Sequence, residues 1–249
     1  MDISDIERFA ELLKSSRRAV FFGGAGVSTE SGVKDYRSED GLYNTVKQYG
    51  VPPEVILSRS FFRSKPEVFY DFYYKYFLQS SAKPNPAHIA LAELEKRGIL
   101  SAVVTQNIDG LHQAAGSKKV FELHGTVYKY HCSACGREFP VEKVKELKGG
   151  VPRCEACGGI IKPDVVLYEE PLDESVITGA VTAIASADLM IIGGTSLAVY
   201  PAAGLLGYYR GRDTVLINRS ETQYDSRASL VFRDKIGEVM QRAVELLGD

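Results

Sequence analysis

Four cysteines stand as two close pairs in this 249-residue chain, which has no others. Cys132 and Cys135 are followed, after eighteen residues, by Cys154 and Cys157. That is the ligand spacing of a zinc ribbon, in which each pair sets two thiolates on one side of a tight turn. Gly136 and Gly158-Gly159 supply the turns. Four soft sulfur ligands favour tetrahedral zinc. A shell filled by four thiolates has no open position for water or substrate, so one structural Zn2+ per chain is expected. In a reducing compartment such pairs read as metal ligands before disulfides or redox couples. His131 adjoins Cys132 but is surplus to a complete sulfur shell.

A second constellation is Gly24-Ala25-Gly26-Val27-Ser28-Thr29, directly after the apolar run at residues 19–22. Glycines after a strand let backbone approach a pyrophosphate, and amides at a helix start can hold its charge. Thr29 stands where a dinucleotide fingerprint has its third glycine, and no clear acidic residue follows at the distance expected for a ribose. On these residues alone, a tight structural turn and a nucleotide site are equally good readings. Among the histidines, His124 follows a short apolar run and precedes Gly125. An imidazole titrates near neutral pH and suits general-base work. A lone histidine is more often a satisfied core residue, and His88 and His112 are read that way.

The elements that must position these groups are short. Residues 19–22, 99–104, 120–123, 189–192 and 214–217 are apolar runs with the length of buried strands. Ser4-Asp5-Ile6-Glu7 matches a capping box ahead of Phe9, Ala10 and Leu13 at helical spacing. Asn85-Pro86 opens a helix through Leu91 and Leu94 that Gly98 closes. Residues 234–247 carry Ile236, Val239, Met240, Val244 and Leu247 on one side of another. Strands alternating with helices predict a parallel α/β sheet, with ligands at the strands' carboxyl ends. The aromatic stretch 61–77 and the cysteine segment 128–168 interrupt that rhythm and are assigned to a smaller second domain. Phe62, Phe69, Phe72, Tyr73 and Tyr76 have helical spacing and read as its core.

Composition narrows the function classes. With 45% hydrophobic residues, 25% charged and a net charge of −2, the chain has an ordinary globular balance and no field favouring nucleic acid or anionic membrane. No apolar stretch approaches the roughly 20 residues that span a bilayer. The acidic N-terminus lacks the order of a signal peptide. A cytoplasmic protein is expected.

The glycine loop continues as Val33-Lys34-Asp35-Tyr36-Arg37. Thr105-Gln106-Asn107-Ile108-Asp109-Gly110-Leu111-His112 follows, then Leu123-His124-Gly125, the cysteine pairs, Lys162-Pro163-Asp164-Val165-Val166, and Gly194-Thr195-Ser196-Leu197 with Val199-Tyr200-Pro201-Ala202. In that order these motifs resemble the sirtuin family, over about residues 20 to 220. The resemblance implies a Rossmann-like parallel sheet with helices on both faces, built from 1–37, 86–127 and 171–249. It also implies a smaller domain, made of a helical module (38–85) and a zinc ribbon (128–170). The implied reaction is NAD-dependent deacylation, chiefly deacetylation, of lysine side chains in proteins, releasing nicotinamide and O-acyl-ADP-ribose.

The resemblance also implies site residues. NAD is the co-substrate, and acyl-lysine proteins or peptides are the partners. Ala25, Tyr36, Arg37, Ile108 and Asp109 would line the nicotinamide region, with Asp109 on the carboxamide. Gly24, Gly26 and Thr29 would hold phosphate or ribose, with Asp35 in the same loop. Gln106 and Asn107 would bind the ribose and order water there. Gly194, Thr195 and Ser196 would face the adenosine or phosphate side, Asn218 the adenine ribose, and Lys235 the adenine. His124 would be the general base that deprotonates a ribose hydroxyl, with Asn107 beside it. Val165, Val166 and Tyr168 would meet the substrate.

Three departures from the family pattern stand out. Val33-Lys34 replaces the usual Ile-Pro, which leaves the cofactor loop less restricted in φ. Tyr168-Glu169-Glu170 replaces Phe-Gly-Glu, so a bulky acid takes a flexible glycine's place; two acids there would favour basic peptides. The Tyr and Arg that clamp succinyl or malonyl groups correspond to Tyr73 and Tyr76, or to Phe72 and Lys75 one register away. Neither register supplies an arginine fork, so uncharged acyl groups are expected, acetyl first. Alternatives in other classes are a mono-ADP-ribosyltransferase, a deacylase preferring longer acyl groups, an NAD-dependent oxidoreductase and a nucleic-acid-binding zinc ribbon. Residues 129–162 hold seven Lys/Arg against four Asp/Glu, too mild an excess for the last.

Overall fold

A computed structural model describes residues 2–35, 42–78, 81–147 and 149–248. Its strands are β1 Ala19–Gly23, β2 Leu100–Thr105, β3 Val120–Glu122, β4 Gly125–Cys132, β5 Glu138–Pro140, β6 Ile161–Val165, β7 Leu189–Gly193, β8 Asp213–Ile217 and β9 Leu230–Phe232. Six of them form one parallel sheet in the order β3-β2-β1-β7-β8-β9. The other three form an antiparallel sheet, β5-β4-β6. Counted without the small sheet, the large one has the doubly wound order 3-2-1-4-5-6, which reverses between β1 and β7.

Alternation along β1 shows why this sheet is mainly apolar on both faces. Phe21 faces a layer containing Phe9, Leu91, Leu94, Val239 and Met240, from the helices Ile3–Ser15, Pro86–Lys96 and Ile236–Glu245. Val20 and Phe22 face the opposite layer, with Ala180 and Ile184 of the helix Glu174–Ala185 and Leu205 and Leu206 of the turn Ala202–Tyr208. Both faces are covered, so most strand positions are apolar; Ser101, Thr105, Glu122, Asp213 and Thr214 are the polar exceptions.

Several local expectations are corrected. The first helix is capped by Asp2, whose carboxylate accepts from Ser4 N at 2.9 Å, and Ser4 lies inside the helix. The glycine loop leads into two single 3-10 turns, Ala25–Val27 and Thr29–Ser31, where an α-helix was expected. Left-handed Gly32 ends the second turn, and Ser28 is drawn inward by its own hydroxyl contacts. The aromatic stripe spans two helices, Arg59–Ser64 and Pro66–Tyr76, because Pro66 restarts the chain. β9 and the helix Glu174–Ala185 were not anticipated; the helix is opened by Asp173, which accepts from Ser175 N and Val176 N. Among the described residues no helix is long and apolar enough to cross a membrane.

The small sheet and the aromatic helices share one core. Phe69, Tyr70, Phe72 and Tyr73 pack with Tyr130, Ile161, Cys132 and Cys154. Tyr70 donates to the carbonyl of Ile161, and the Tyr73 and Tyr130 hydroxyls lie 3.2 Å apart.

The passage between sheets is only two residues long. β3 ends at Glu122, Leu123 and His124 follow, and β4 begins at Gly125, paired with Val165 of β6. Gly125 has φ +74°, and a Cβ there would lie 1.9 Å from the Asp164 carbonyl oxygen. Only glycine meets both demands. Gly125→Ala should therefore destabilise the protein by at least about 2 kcal/mol and separate β4 from β6. Thermal unfolding together with hydrogen exchange at Val166 tests this; an unchanged melting temperature would contradict it.

Candidate active site and metal centre

The carboxyl ends of β1, β2, β7 and β8 open into a cleft of about 1400 Å³. It runs from the glycine loop past His124 to residues 165–170 and to Tyr73 and Tyr76 of the aromatic helices. Gly24, Ala25, Gly26, Thr29, Asp35, Gln106, Asn107, Ile108, Asp109, His124, Val165, Val166, Tyr168, Gly194, Thr195, Ser196, Asn218 and Lys235 all line it. Tyr36 and Arg37 lie outside the described residues.

The glycine loop is held by the end of β7. Gly26 N–H donates to the Gly194 carbonyl at 2.8 Å, and a Cβ on Gly26 would stand 2.8 Å from Gly194 Cα. Gly26 thus meets the tight-turn reading by itself, while the same turn forms a wall of the cleft. Thr29 donates its hydroxyl to the Gly26 carbonyl at 2.9 Å, so toward a ligand it can only accept. Thr195 Oγ1 accepts from Gln106 Nε2 at 3.0 Å, which orients the Gln106 side chain across the switch point.

Ser28 is the residue that sequence reasoning passed over. It is fully buried. Its hydroxyl donates to Asp109 Oδ2 at 2.7 Å and accepts from Asn107 Nδ2 at 3.1 Å. His88 Nε2 lies 3.5 Å from the same oxygen. His88 Nδ1 accepts from the backbone N–H of Asn85 at 3.3 Å, so the ring proton sits on Nε2 and points at Ser28. Asp109 Oδ1 accepts from Leu111 N at 3.0 Å. The only sequence signal for Ser28 was its place within the glycine motif, where the hydroxyl's partners are far along the chain.

His124 lines the cleft between the two sheets. Its Nδ1 lies 3.0 Å from the carbonyl oxygen of Gln106. A carbonyl only accepts, so the ring proton is on Nδ1 and Nε2 keeps its lone pair. Burial lowers the His124 pKa, and the Gln106 contact partly offsets that. At neutral pH the ring is an uncharged base. The backbone of His124 is engaged as well, since its carbonyl accepts from Val166 N at 2.9 Å. The segment read as the substrate strand is therefore tied to the histidine.

At the other end of the cleft, Asn218 Nδ2 donates to the Ser220 carbonyl at 2.7 Å, and Lys235 starts the last helix with its ammonium 3.7 Å from Glu238. Of the two registers considered for the acyl clamp, Tyr73 and Tyr76 line the cleft; Lys75 is exposed and donates to Gln48 at 2.8 Å. Glu169 bonds to Ser60, and Glu170 lies 3.0 Å from Lys162 Nζ. Lys162 thus neutralises one of the two charges on which the expected preference for basic peptides relied.

The four cysteine sulfurs all lie within 4.8 Å of one another, with Cys132–Cys157 at 3.4 Å and Cys135–Cys154 at 3.8 Å. Tetrahedral zinc with Zn–S bonds of about 2.3 Å sets its sulfurs about 3.8 Å apart. The cluster fits that ion and leaves no ligand position open. His131 turns away to Asp164.

Comparison with known proteins adds to this geometry. The model of the Sir2 family matches residues 24–201. The NAD-dependent protein deacetylase of Clostridium perfringens is 56% identical over 241 residues, covering 96% of this chain and 98% of its own. A solved structure described as Sir2 with p53 peptide and NAD+ superimposes with a TM-score of 0.88 at 40% identity, over 98% of both chains. Another, described as Sir2 bound to acetylated peptide, has a TM-score of 0.86 at 39% identity, over 100% of this chain and 99% of its own.

The buried histidines behind Ser28 carry a consequence for stability. Burial lowers the His88 pKa from 6.5 to about 4, although Asp109 pulls it upward. Burial, with His88 beside it, lowers His112 from 6.5 to about 3. Neither His112 ring nitrogen has a hydrogen-bond partner among the described residues; the ring packs on His88 and Phe21. Between pH 6.5 and about 4 the unfolded chain therefore binds protons that the native one does not. Stability should be intact above pH 6.5 and fall steadily as pH drops toward 4. His88→Gln should flatten that fall, as read from melting temperature against pH; an identical slope in the variant would contradict the assignment.

Proposed function

The chain belongs to the Sir2 family, and from that premise we propose how its own residues divide the work of an NAD-dependent protein-lysine deacetylase. When bound, NAD would supply an electrophilic ribose carbon and the acceptor for the acyl group: NAD, acyl-lysine and water give nicotinamide, the free lysine and O-acyl-ADP-ribose. His124 takes the proton from a ribose hydroxyl through Nε2, and Nδ1 stays bonded to Gln106. Asp109 presents an oriented carboxylate to the carboxamide. Asn107 and Gln106 hold the ribose.

The rest of the cleft is assigned to binding. Gly24, Ala25, Gly26, Thr29 and Asp35 are assigned to the phosphate and nicotinamide side, together with Tyr36, Arg37 and Ile108. Gly194, Thr195, Ser196, Asn218 and Lys235 serve the adenosine side. Val165, Val166 and Tyr168 receive the acyl-lysine peptide. Cys132, Cys135, Cys154 and Cys157 hold one structural zinc ion. We assign 1–37, 86–127 and 171–249 to the NAD-binding domain, and 38–85 with 128–170 to the small domain; β4 crosses that boundary. A cytoplasmic location is part of the same reading.

One observation carries the mechanism: a neutral, oriented imidazole and the Ser28–Asn107–Asp109 cluster line one cleft. In a nicotinamide-release assay with acetyl-lysine peptide, His124→Ala should lose at least about 100-fold in rate while zinc stays at about one per chain. Equal rates would remove His124 from the chemistry. Because burial holds the His124 pKa below 6.5, the acid limb of kcat/KM should fall below pH 6.5. Acetyl-lysine peptide should be turned over faster than succinyl-lysine peptide, and a dominant desuccinylase would overturn the acyl assignment.

A further inference from the structure

Glu169 is one of two non-glycine residues with positive φ among those described, at +73°. Its family counterpart is glycine, for which that conformation is unstrained. A glutamate stays there only if other contacts hold it. Two do: Glu169 Oε2 accepts from Ser60 N at 2.9 Å, and Oε1 accepts from Ser60 Oγ at 2.8 Å. Ser60 belongs to the short helix Arg59–Ser64, in the small domain's helical module.

The backbone beside Glu169 is fastened to the same module. Tyr168 N donates to the Leu57 carbonyl at 3.0 Å, and Arg59 N donates to the Tyr168 carbonyl at 3.0 Å. Two residues earlier, Val166 N donates to the His124 carbonyl. The segment is thus suspended between the helical module on one side and the histidine on the other. A residue free to leave the left-handed region would let that span sag; the carboxylate bonded to Ser60 forbids it.

We propose that Glu169 is a positioning residue, which through Ser60 locks the peptide-receiving strand in register with His124 before substrate arrives. Where glycine at this point lets the strand adjust to the peptide, this chain presents it already formed. The ordering cost then falls on folding and not on substrate binding. The inference rests on the reading of residues 165–168 as the peptide strand.

The test compares the wild type with Glu169→Gly, Glu169→Gln and Ser60→Ala, on an acetyl-lysine peptide and on a blocked single acetyl-lysine. Glycine accepts φ +73°, so Glu169→Gly keeps the fold. It should raise the peptide KM by about tenfold, with kcat and the NAD KM unchanged. The blocked acetyl-lysine has no flanking backbone to pair, so its KM should not move. Glu169→Gln can both accept from Ser60 N and donate to Ser60 Oγ, and should restore the peptide KM to within about twofold. Ser60→Ala should fall between. A peptide KM that Glu169→Gly leaves unchanged, or an equal rise for both substrates, overturns the role of Glu169. Equal wild-type kcat/KM for peptide and blocked acetyl-lysine would instead overturn the peptide-strand reading beneath it.

Discussion

The antiparallel pairing of β4 with β6 is the constraint on which the site depends. One end of the pair carries Cys132 and leads into the four-sulfur cluster; the other carries Gly125, and immediately before it His124. A structural metal of this kind contributes folding free energy directly, because the unfolded chain cannot assemble its ligands. Here that energy is applied to a strand pair whose far end presents His124 and the segment bonded to it. Gly125 makes the transmission possible, since any side chain would strike the Asp164 carbonyl and break the pairing next to His124.

A second constraint is the saturation of one hydroxyl. Serine has one proton to give and two lone pairs to fill. Ser28 gives its proton to Asp109, accepts from Asn107, and is faced by the His88 ring proton. With no alternative pattern of comparable quality, the carboxylate of Asp109 and the amide of Asn107 are fixed in direction before any ligand binds. Preorganised dipoles cost no reorganisation when charge develops. The neutral states of His88 and His112 belong to the same arrangement, because a charge on His88 would turn the Nδ1 that accepts from Asn85 N–H into a donor, and a charge on His112 would stand unpartnered in the core.

The sequence made some of this legible and hid the rest for identifiable reasons. The cysteine ribbon, the apolar strands and the amphipathic last helix are written in local spacing, and each stands where that spacing indicated. Ser28 was hidden because its partners are 79 and 81 residues away, and local pattern holds no trace of them. β9 has three residues and its neighbours are turns, so it has too few positions to show a period. The glycine loop misled on local form: Gly32 ends the turn early, and the expected helix start became two 3-10 turns. Glu169 was visible as a departure from the family pattern, but its direction of effect was not. Only its φ and the Ser60 contacts show an added tie where the sequence suggested a changed peptide preference.

The Lys162–Glu170 pair places charge in the interior, where it is costly. Lys162 is almost fully buried, and its ammonium donates to the Val165 carbonyl at 2.9 Å as well as lying 3.0 Å from Glu170. Glu170 in turn accepts from Leu167 N at 2.9 Å. A buried pair of this kind rarely adds net stability over apolar residues of the same volume, so stability alone does not explain it. Its bonds run to backbone groups on both sides of Val166, which an apolar pair would leave without partners. The pair fixes the bend of the strand where it leaves β6, and Glu169 fixes the next bend against the helical module. Between those two points the backbone has little freedom except to follow the edge that His124 defines.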